Sequence, residues 1–274
     1  MLKIQLSIIL YLIFSISLTA QNYYYGWINN LRIGNIQFNN NLEKVVYNIN
    51  KKEIKFVVIT GDIGGKITNK GLKLTKKILD SLDVPYYIML GNHYTKWIES
   101  GNAKFKQLGN EGKFVFQYDS VKHIAISSGI PWRGKGHISI EDLLRLDTVL
   151  AKTQRKEQII FYIHYPLDID NWFKVTNLLK GYNVEAVLTG HGQINKIMNF
   201  HGIPMAISGV SLDKNQENWN YTLVHDKPDS ILFYEVNKDS IPQLWGAIKK
   251  SNLRIPFIDS TQFINYTESP NNGG

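Results

Sequence analysis

The stretch that decides the fold is FVVITGD, residues 56–62. Its first five residues are β-branched or aromatic, and this continuous run predicts a buried strand over residues 56–60. Gly61 allows a sharp turn after the strand, because glycine has no Cβ to restrict its backbone. In α/β folds, ligands bind at the carboxyl ends of the strands. The stretch therefore predicts a strand that presents the Asp62 carboxylate to a site.

Three further apolar runs end in the same manner, with glycine, asparagine or histidine directly after the strand. These predicted strands and the residues that follow them are Tyr86–Leu90 before Gly91-Asn92-His93, Ile159–Ile163 before His164, and Ala186–Thr189 before Gly190-His191-Gly192-Gln193. Helical patterns alternate with them at Asn41–Asn50, Leu72–Leu82, Ser139–Ala151 and Trp172–Leu179. The alternation predicts an α/β protein.

Shorter strand patterns occur without helices between them, and they predict antiparallel additions and a second sheet. They lie at Lys113–Tyr118, His123–Ser127, Lys196–Phe200, Pro204–Ser208, Tyr221–Val224 and Ser230–Val236. The third helix begins with Ser139 and carries Asp142 three residues later, a pattern typical of a capped amino terminus.

The polar side chains at the four strand ends are those that bind transition metals. Asp62 and Asn92 offer oxygen atoms, and His164 and His191 offer nitrogen atoms. A mixed oxygen and nitrogen set favours Mn, Fe or Zn over Ca or Mg. If the four ends meet, they form a metal centre.

The same residues resemble the motifs of the calcineurin-like metallophosphoesterases. In that superfamily the motifs run Asp-x-His, Gly-Asp, Gly-Asn-His, a lone His and Gly-His-x-His. Gly61-Asp62, Gly91-Asn92-His93, His164 and Gly190-His191 fit in order. The resemblance implies a four-layer α/β/β/α sandwich of two mixed sheets, with a two-metal centre at the strand ends.

The departures from the family pattern all concern one of the two metals. In place of Asp-x-His the chain has Asn30-Leu31-Arg32, and the last motif ends in Gln193. By resemblance, the first metal keeps only its shared ligand Asp62. The resemblance implies a complete ligand set for the other metal, namely Asp62, Asn92, His164 and His191. We therefore expect one divalent transition metal and the loss of the second metal site.

The resemblance also implies roles for three further residues. His93 aligns with the catalytic histidine of the family and would donate a proton to the leaving group. Arg32 carries a fixed positive charge and, with Asn30, would bind the phosphoryl group in place of the missing ion. The expected function is a metal-dependent hydrolase of phosphoester bonds with reduced or narrow activity. The alternative is a catalytically inactive protein of this fold that binds an anionic ligand.

The sequence patterns at the two ends of the chain differ from those in its centre. Residues 1–20 combine Lys3, an apolar run and a small-residue end at Ala20, a pattern typical of a cleaved signal peptide. We expect one domain over residues 21–264 and a disordered tail over residues 265–274. The expected location is the periplasm or the cell exterior.

Composition limits the chemistry and the partners. The 274-residue chain contains no cysteine, which excludes disulfides and thiolate catalysis. Its net charge of +8 favours anionic partners such as small-molecule or polymeric phosphoesters. No motif predicts sequence-specific nucleic-acid binding, and no segment after residue 20 is apolar for long enough to span a membrane.

Overall fold

The structure is a computed structural model that describes residues 21–31, 36–61, 69–91, 112–129, 136–192, 194–209, 211, 219–238 and 240–250. For residues 36–38, 69 and 90 it describes the backbone alone. The expected signal peptide over residues 1–20 and the expected tail over residues 265–274 lie outside these ranges.

The described residues form strands and helices that alternate in the first two thirds of the chain. In order, the elements are β1 (Tyr23–Asn29), α1 (Ile36–Asn50), β2 (Ile54–Gly61), α2 (Asn69–Leu79), β3 (Tyr86–Leu90), β4 (Phe114–Tyr118), β5 (Val121–Ala125), α3 (Ile140–Ala151), β6 (Gln158–Ile163), α4 (Trp172–Leu179), β7 (Asn183–Thr189), β8 (Lys196–Phe200), β9 (Ile203–Ile207), β10 (Asn220–Asp226), β11 (Ser230–Asn237) and β12 (Gln243–Lys249). Among these helices, none combines the length and apolarity needed to cross a membrane.

Within the described ranges the strands form two six-stranded mixed sheets. The first sheet has the order β12-β11-β10-β1-β2-β3, and the second has the order β4-β5-β6-β7-β9-β8. In the first sheet β1, β2 and β3 are parallel. In the second sheet β5, β6, β7 and β9 are parallel. The four strands expected to carry the metal ligands are thus divided equally, β2 and β3 in one sheet and β6 and β7 in the other.

Three apolar layers hold the two sheets and their helices together. Helices α1 and α2 pack on the outer face of the first sheet through residues such as Val45 and Leu79. Helices α3 and α4 cover the outer face of the second sheet through residues such as Leu146 and Val175. The third layer, which contains Trp27, lies between the sheets. This arrangement confirms the predicted four-layer α/β/β/α sandwich.

Several predicted elements are confirmed, and two strands were missed. The cap of α3 is formed as expected, because Ser139 Oγ accepts a hydrogen bond from the Asp142 backbone N–H at 3.1 Å. Strands β1 and β12 were not predicted. The expected antiparallel pairing is found between β4 and β5, between β8 and β9, and between β10 and β11. Strands β5 and β9 also pair in parallel, with β6 and β7 respectively, which was not expected. The expected bounds of β9, Pro204–Ser208, shift one residue towards the amino terminus.

A polar network is buried between the sheets near the amino ends of β1 and β6. Lys250 Nζ lies 2.5 Å from Asp226 Oδ1, and the Tyr23 hydroxyl donates to Asp226 Oδ2 at 2.9 Å. His123 Nδ1 lies 2.8 Å from the Tyr162 hydroxyl. Burial raises the pKa of Asp226, although Lys250 and Tyr23 oppose that shift. Burial, followed by the charge of Lys250, lowers the pKa of His123 to about 3.

Candidate metal centre

His164 and His191 meet at one edge of the second sheet. His164 directly follows β6, and His191 follows β7 after a single glycine. Because β6 and β7 are parallel neighbours, both histidines lie at the same end of the sheet. His164 Nε2 and His191 Nδ1 are 3.0 Å apart, and the two rings are inclined by 78°. The structure thus brings together two of the four expected strand ends, and their role as metal ligands stays a prediction.

The backbone holds the two histidines in this arrangement. The carbonyl oxygen of His164 accepts hydrogen bonds from the N–H groups of Gly190 at 3.1 Å and His191 at 2.9 Å. His164 is fully buried. The ring of Tyr165 lies 4.2 Å from that of His191, centroid to centroid, and supports it from the side. The imidazole positions are therefore determined by packing and by main-chain contacts.

The two histidine nitrogens are within hydrogen-bond distance of each other, and their separation also fits a shared metal ion. Two imidazole nitrogens that each bind an ion at about 2.1 Å, with angles of about 90–110° between them, are separated by about 3.0–3.4 Å. The observed separation of 3.0 Å falls at the lower end of that interval. Within the described ranges no group of three His, Cys, Asp or Glu side chains surrounds one point. The other two expected ligands, Asp62 and Asn92, lie outside those ranges.

Gly61, at the end of β2, lies beside His164 from the opposite sheet. A Cβ added to Gly61 would lie 2.7 Å from Asn30 Oδ1 and 2.9 Å from His164 Nδ1. The φ angle of Gly61 is +96°, a conformation that side chains other than glycine rarely adopt. Gly61, the residue before Asp62, thus lies where the end of β2 in the first sheet approaches the end of β6 in the second.

Asn30 lies at the same junction. Its N–H donates to the carbonyl of Thr60 at 3.1 Å, and its φ angle of 53° is left-handed. Asparagine is among the few non-glycine residues that tolerate this conformation. The buried carboxamide of Asn30 faces Gly61. Four other predicted residues, Arg32, His93, Asp62 and Asn92, are outside the described ranges, as is Gln193.

Asn29 is a buried residue at this junction that the sequence-based reasoning missed. Its Nδ2 donates to the carbonyls of Ser208 at 2.7 Å and Gly209 at 3.0 Å. Its Oδ1 has no hydrogen-bond donor among the described residues. The partners of Nδ2 are 179 and 180 residues away along the chain. No local pattern signals such contacts.

Comparison with known proteins identifies the family of the chain. The family model of the calcineurin-like phosphoesterases matches residues 34–194, more than half of the chain. The chain belongs to the calcineurin-like phosphoesterase family. Proteins of this family typically bind divalent metals.

Two curated relatives are described as phosphodiesterases. A probable glycerophosphodiester phosphodiesterase of Arcobacter nitrofigilis is 31% identical over 148 residues. That match covers 50% of this chain and 54% of the relative, so the aligned part spans about half of the relative's length. A probable cyclic nucleotide phosphodiesterase of Vesicomyosocius okutanii is 24% identical over 203 residues, which cover 68% of this chain and 84% of the relative.

Solved structures share the fold at low sequence identity. A dimetal phosphatase from Danio rerio superposes with a TM-score of 0.66 at 13% identity, covering 84% of this chain and 99% of that structure. GAP50, the anchor in the inner membrane complex of Plasmodium, superposes with a TM-score of 0.58 at 13% identity, covering 91% of this chain and 95% of that structure. At such identities the similarity establishes the fold alone.

Proposed function

We propose that this chain hydrolyses phosphoester bonds with a single divalent metal ion held by Asp62, Asn92, His164 and His191. The observation that carries the proposal is the 3.0 Å separation of His164 Nε2 and His191 Nδ1 at neighbouring strand ends. The proximity of Gly61, which precedes Asp62, to His164 supports it. The donor set suits Mn, Fe or Zn.

The ligands of a second ion are replaced in this sequence. Asn30 has a neutral carboxamide where the family has a ligating carboxylate, and Arg32 stands in the position of a ligating histidine. A guanidinium cannot lose its proton in a protein, so Arg32 does not ligate a metal. It supplies permanent positive charge and paired N–H donors that suit a phosphoryl group. We infer that Arg32 and Asn30 bind the substrate where the second ion would bind.

The metal ion, His93 and Arg32 each have a distinct role in the reaction. When bound, the metal supplies positive charge that polarises the phosphoryl group and lowers the pKa of a coordinated water. His93 donates a proton to the leaving oxygen, a contribution typically worth about 10²–10⁴-fold in rate. Arg32 stabilises the negative charge that develops on the phosphoryl oxygens. With one ion instead of two, the activity is reduced or restricted to few substrates.

The names of the relatives guide the choice of substrate. Both curated relatives are described as phosphodiesterases, one for glycerophosphodiesters and one for cyclic nucleotides. We propose a phosphodiester substrate, either a small molecule or a polymer. The net charge of +8 favours the approach of such anions.

We further propose that the protein is exported. Residues 1–20 act as a signal peptide cleaved near Ala20, and residues 21–264 form the phosphoesterase domain. The protein then functions in the periplasm or outside the cell. Mass spectrometry of the protein isolated from its native host tests this: a mature amino terminus near Gln21 supports export, and retention of Met1 contradicts it.

The central experiment combines a metal count with turnover of an aryl phosphodiester and an aryl phosphomonoester. We expect about one equivalent of transition metal, together with turnover that His93→Ala reduces by about 10²–10⁴-fold. Bound metal without turnover of either ester would identify the alternative, an inactive protein of this fold that binds an anionic ligand. The observation that favours the alternative is the non-acidic Asn30 at the position where the family has a ligating aspartate.

A second experiment tests the assignment of the missing site. The triple variant Asn30→Asp, Arg32→His, Gln193→His restores the family pattern, and we expect its metal content to rise towards two equivalents. An unchanged content would contradict the assignment of Asn30 and Arg32 to the first motif.

A further inference from the structure

Asn29 connects the two sheets directly behind the proposed metal centre. It is the last residue of β1 in the first sheet, and its side chain is fully buried. Both hydrogens of its carboxamide are engaged by carbonyls of Ser208 and Gly209, which follow β9 in the second sheet. These two bonds fix the orientation of the amide, and so they also fix where Oδ1 lies.

The backbone of Asn29 reinforces the same connection. Its N–H donates to Ser211 Oγ at 2.8 Å, and its carbonyl accepts from the Ser211 N–H at 3.1 Å. Asn29 therefore makes four hydrogen bonds to the segment around residues 208–211.

The remaining polar atom of Asn29 faces the two glycines that precede Asp62 and His191. A Cβ at Gly61 would lie 2.9 Å from Asn29 Oδ1, and a Cβ at Gly190 would lie 2.6 Å from it. Glycine has a hydrogen in that direction, so Oδ1 faces a Cα–H of each residue. Such Cα–H···O contacts are weakly attractive. They occur where the ends of β2 and β7 approach each other.

We propose that Asn29 is a positioning residue, which sets the separation between the metal ligands contributed by the first sheet and those contributed by the second. This inference rests on the proposed metal site. Asp62 and Asn92 follow strands of the first sheet, whereas His164 and His191 follow strands of the second. Coordination requires these two halves to keep a fixed distance, and the carboxamide of Asn29 spans the gap between them.

Mn²⁺ affinity of the full chain, measured by titration of free Mn²⁺ with electron paramagnetic resonance, tests the proposal. Asn29→Ala removes every side-chain contact, and Asn29→Asp keeps the shape but loses both donors. We expect each to weaken Mn²⁺ binding by about 10–100-fold, the range typical for residues that orient metal ligands. Tighter binding by Asn29→Asp would overturn the proposal, because it would mean that the side chain at position 29 points at the ion.

Asn183→Ala is the matched control. Asn183 is also a buried asparagine in a strand that leads to the site, but it lies at the opposite end of β7, where its Nδ2 donates to Glu185 at 3.0 Å. We expect this variant to lose stability while its Mn²⁺ affinity stays within about twofold of the unchanged chain. Equal losses of affinity in the Asn183 and Asn29 variants would contradict a positioning role.

A milder variant covers the case in which the Asn29 variants do not fold. Ser211→Ala removes the hydroxyl that accepts from the Asn29 N–H, a single hydrogen bond worth about 2–10-fold in an equilibrium constant. We expect a few-fold loss of Mn²⁺ affinity, and an unchanged affinity would overturn the proposal.

If the unaltered chain binds none of Mn²⁺, Fe²⁺ and Zn²⁺, the proposed function fails and this inference fails with it. If the unaltered chain binds one of these ions and the variants bind it equally well, only the positioning role of Asn29 fails.

Discussion

His191 Nδ1 lies 3.0 Å from His164 Nε2, at the ends of two parallel strands whose histidines are 27 residues apart in sequence. The proximity follows from the register of β6 and β7, and main-chain bonds from Gly190 and His191 to the carbonyl of His164 maintain it. The two imidazoles therefore form one structural unit, and removal of either ring should impair metal binding by both.

Loss of either histidine should weaken metal binding strongly. We expect His164→Ala and His191→Ala each to reduce Mn²⁺ affinity by at least about 100-fold, since even indirect partners of metal ligands are worth 10–100-fold. The measurement is equilibrium dialysis with metal analysis. His201→Ala, on the exposed β8–β9 turn, is the control and should retain the affinity. Retention of metal by both site variants would contradict the assignment.

Gly61→Ala should destabilise the fold through two separable effects. The φ angle of +96° strains any side chain, and a Cβ would crowd Asn29, Asn30 and His164 at 2.7–2.9 Å. Gly181→Ala is the matched control, because Gly181 also has a positive φ, of +77°, but its Cβ would meet the flexible side chain of Arg155 at 3.2 Å. We expect a loss of about 1–2 kcal/mol for Gly181→Ala and a larger loss for Gly61→Ala, measured by urea denaturation. Equal losses would show that crowding contributes little.

The stability of the fold should fall in acid because of His123. In the unfolded chain a histidine has a pKa near 6.5. In the folded chain burial, and then the charge of Lys250, lowers the pKa of His123 to about 3. Between these values the unfolded state binds the extra proton, so stability falls as the pH drops from 6.5 to 3, by up to about 1.4 kcal/mol per pH unit.

The variant His123→Gln should reduce this slope in denaturation measurements at several pH values. The groups that face His123 include Tyr162 at 2.8 Å and Tyr23 at 3.5 Å. Phe116→Leu is the control, because the Phe116 ring stacks on His123 and its loss removes packing without removing the titrating group. That variant should be less stable at every pH and should keep the slope of the unaltered chain.

The Asp226–Lys250 pair should show strong coupling. Lys250→Met leaves a carboxylate buried without its ammonium partner, which typically costs about 3–5 kcal/mol. The pKa of Asp226, already raised by burial, should rise further in this variant, so its stability should fall as the pH increases through that pKa. The double variant Asp226→Asn, Lys250→Met should recover part of the loss in urea denaturation. Additive losses would contradict the coupling.

Much of the fold was predictable from local sequence patterns. Continuous apolar runs such as Tyr86–Leu90 and the capped helix after Ser139 appear in the structure as expected. Strand β1 was missed because Gly26 interrupts its aromatic run, and glycine weakens a strand pattern. In β12 the interruption is Gly246, where a Cβ would lie 2.7 Å from the Ile197 side chain of a different strand.

The candidate site was predictable where its residues follow strands, as with His164 and His191. Asn29 was not predictable, because the motif position is occupied by Asn30 and no motif includes Asn29. The contacts that distinguish Asn29 join it to Ser208 and Gly209 in the other sheet. Such contacts depend on how the two sheets pack, which no periodicity within a strand encodes.

The location of Lys250 has a practical consequence for shortening the chain. It directly follows β12, yet its ammonium group is almost inaccessible and reaches Asp226 in one sheet and Gln158, at 3.3 Å, in the other. Any truncation that removes Lys250 removes this bridge, so a chain that ends at residue 249 should resist proteolysis less than a chain that ends at residue 250.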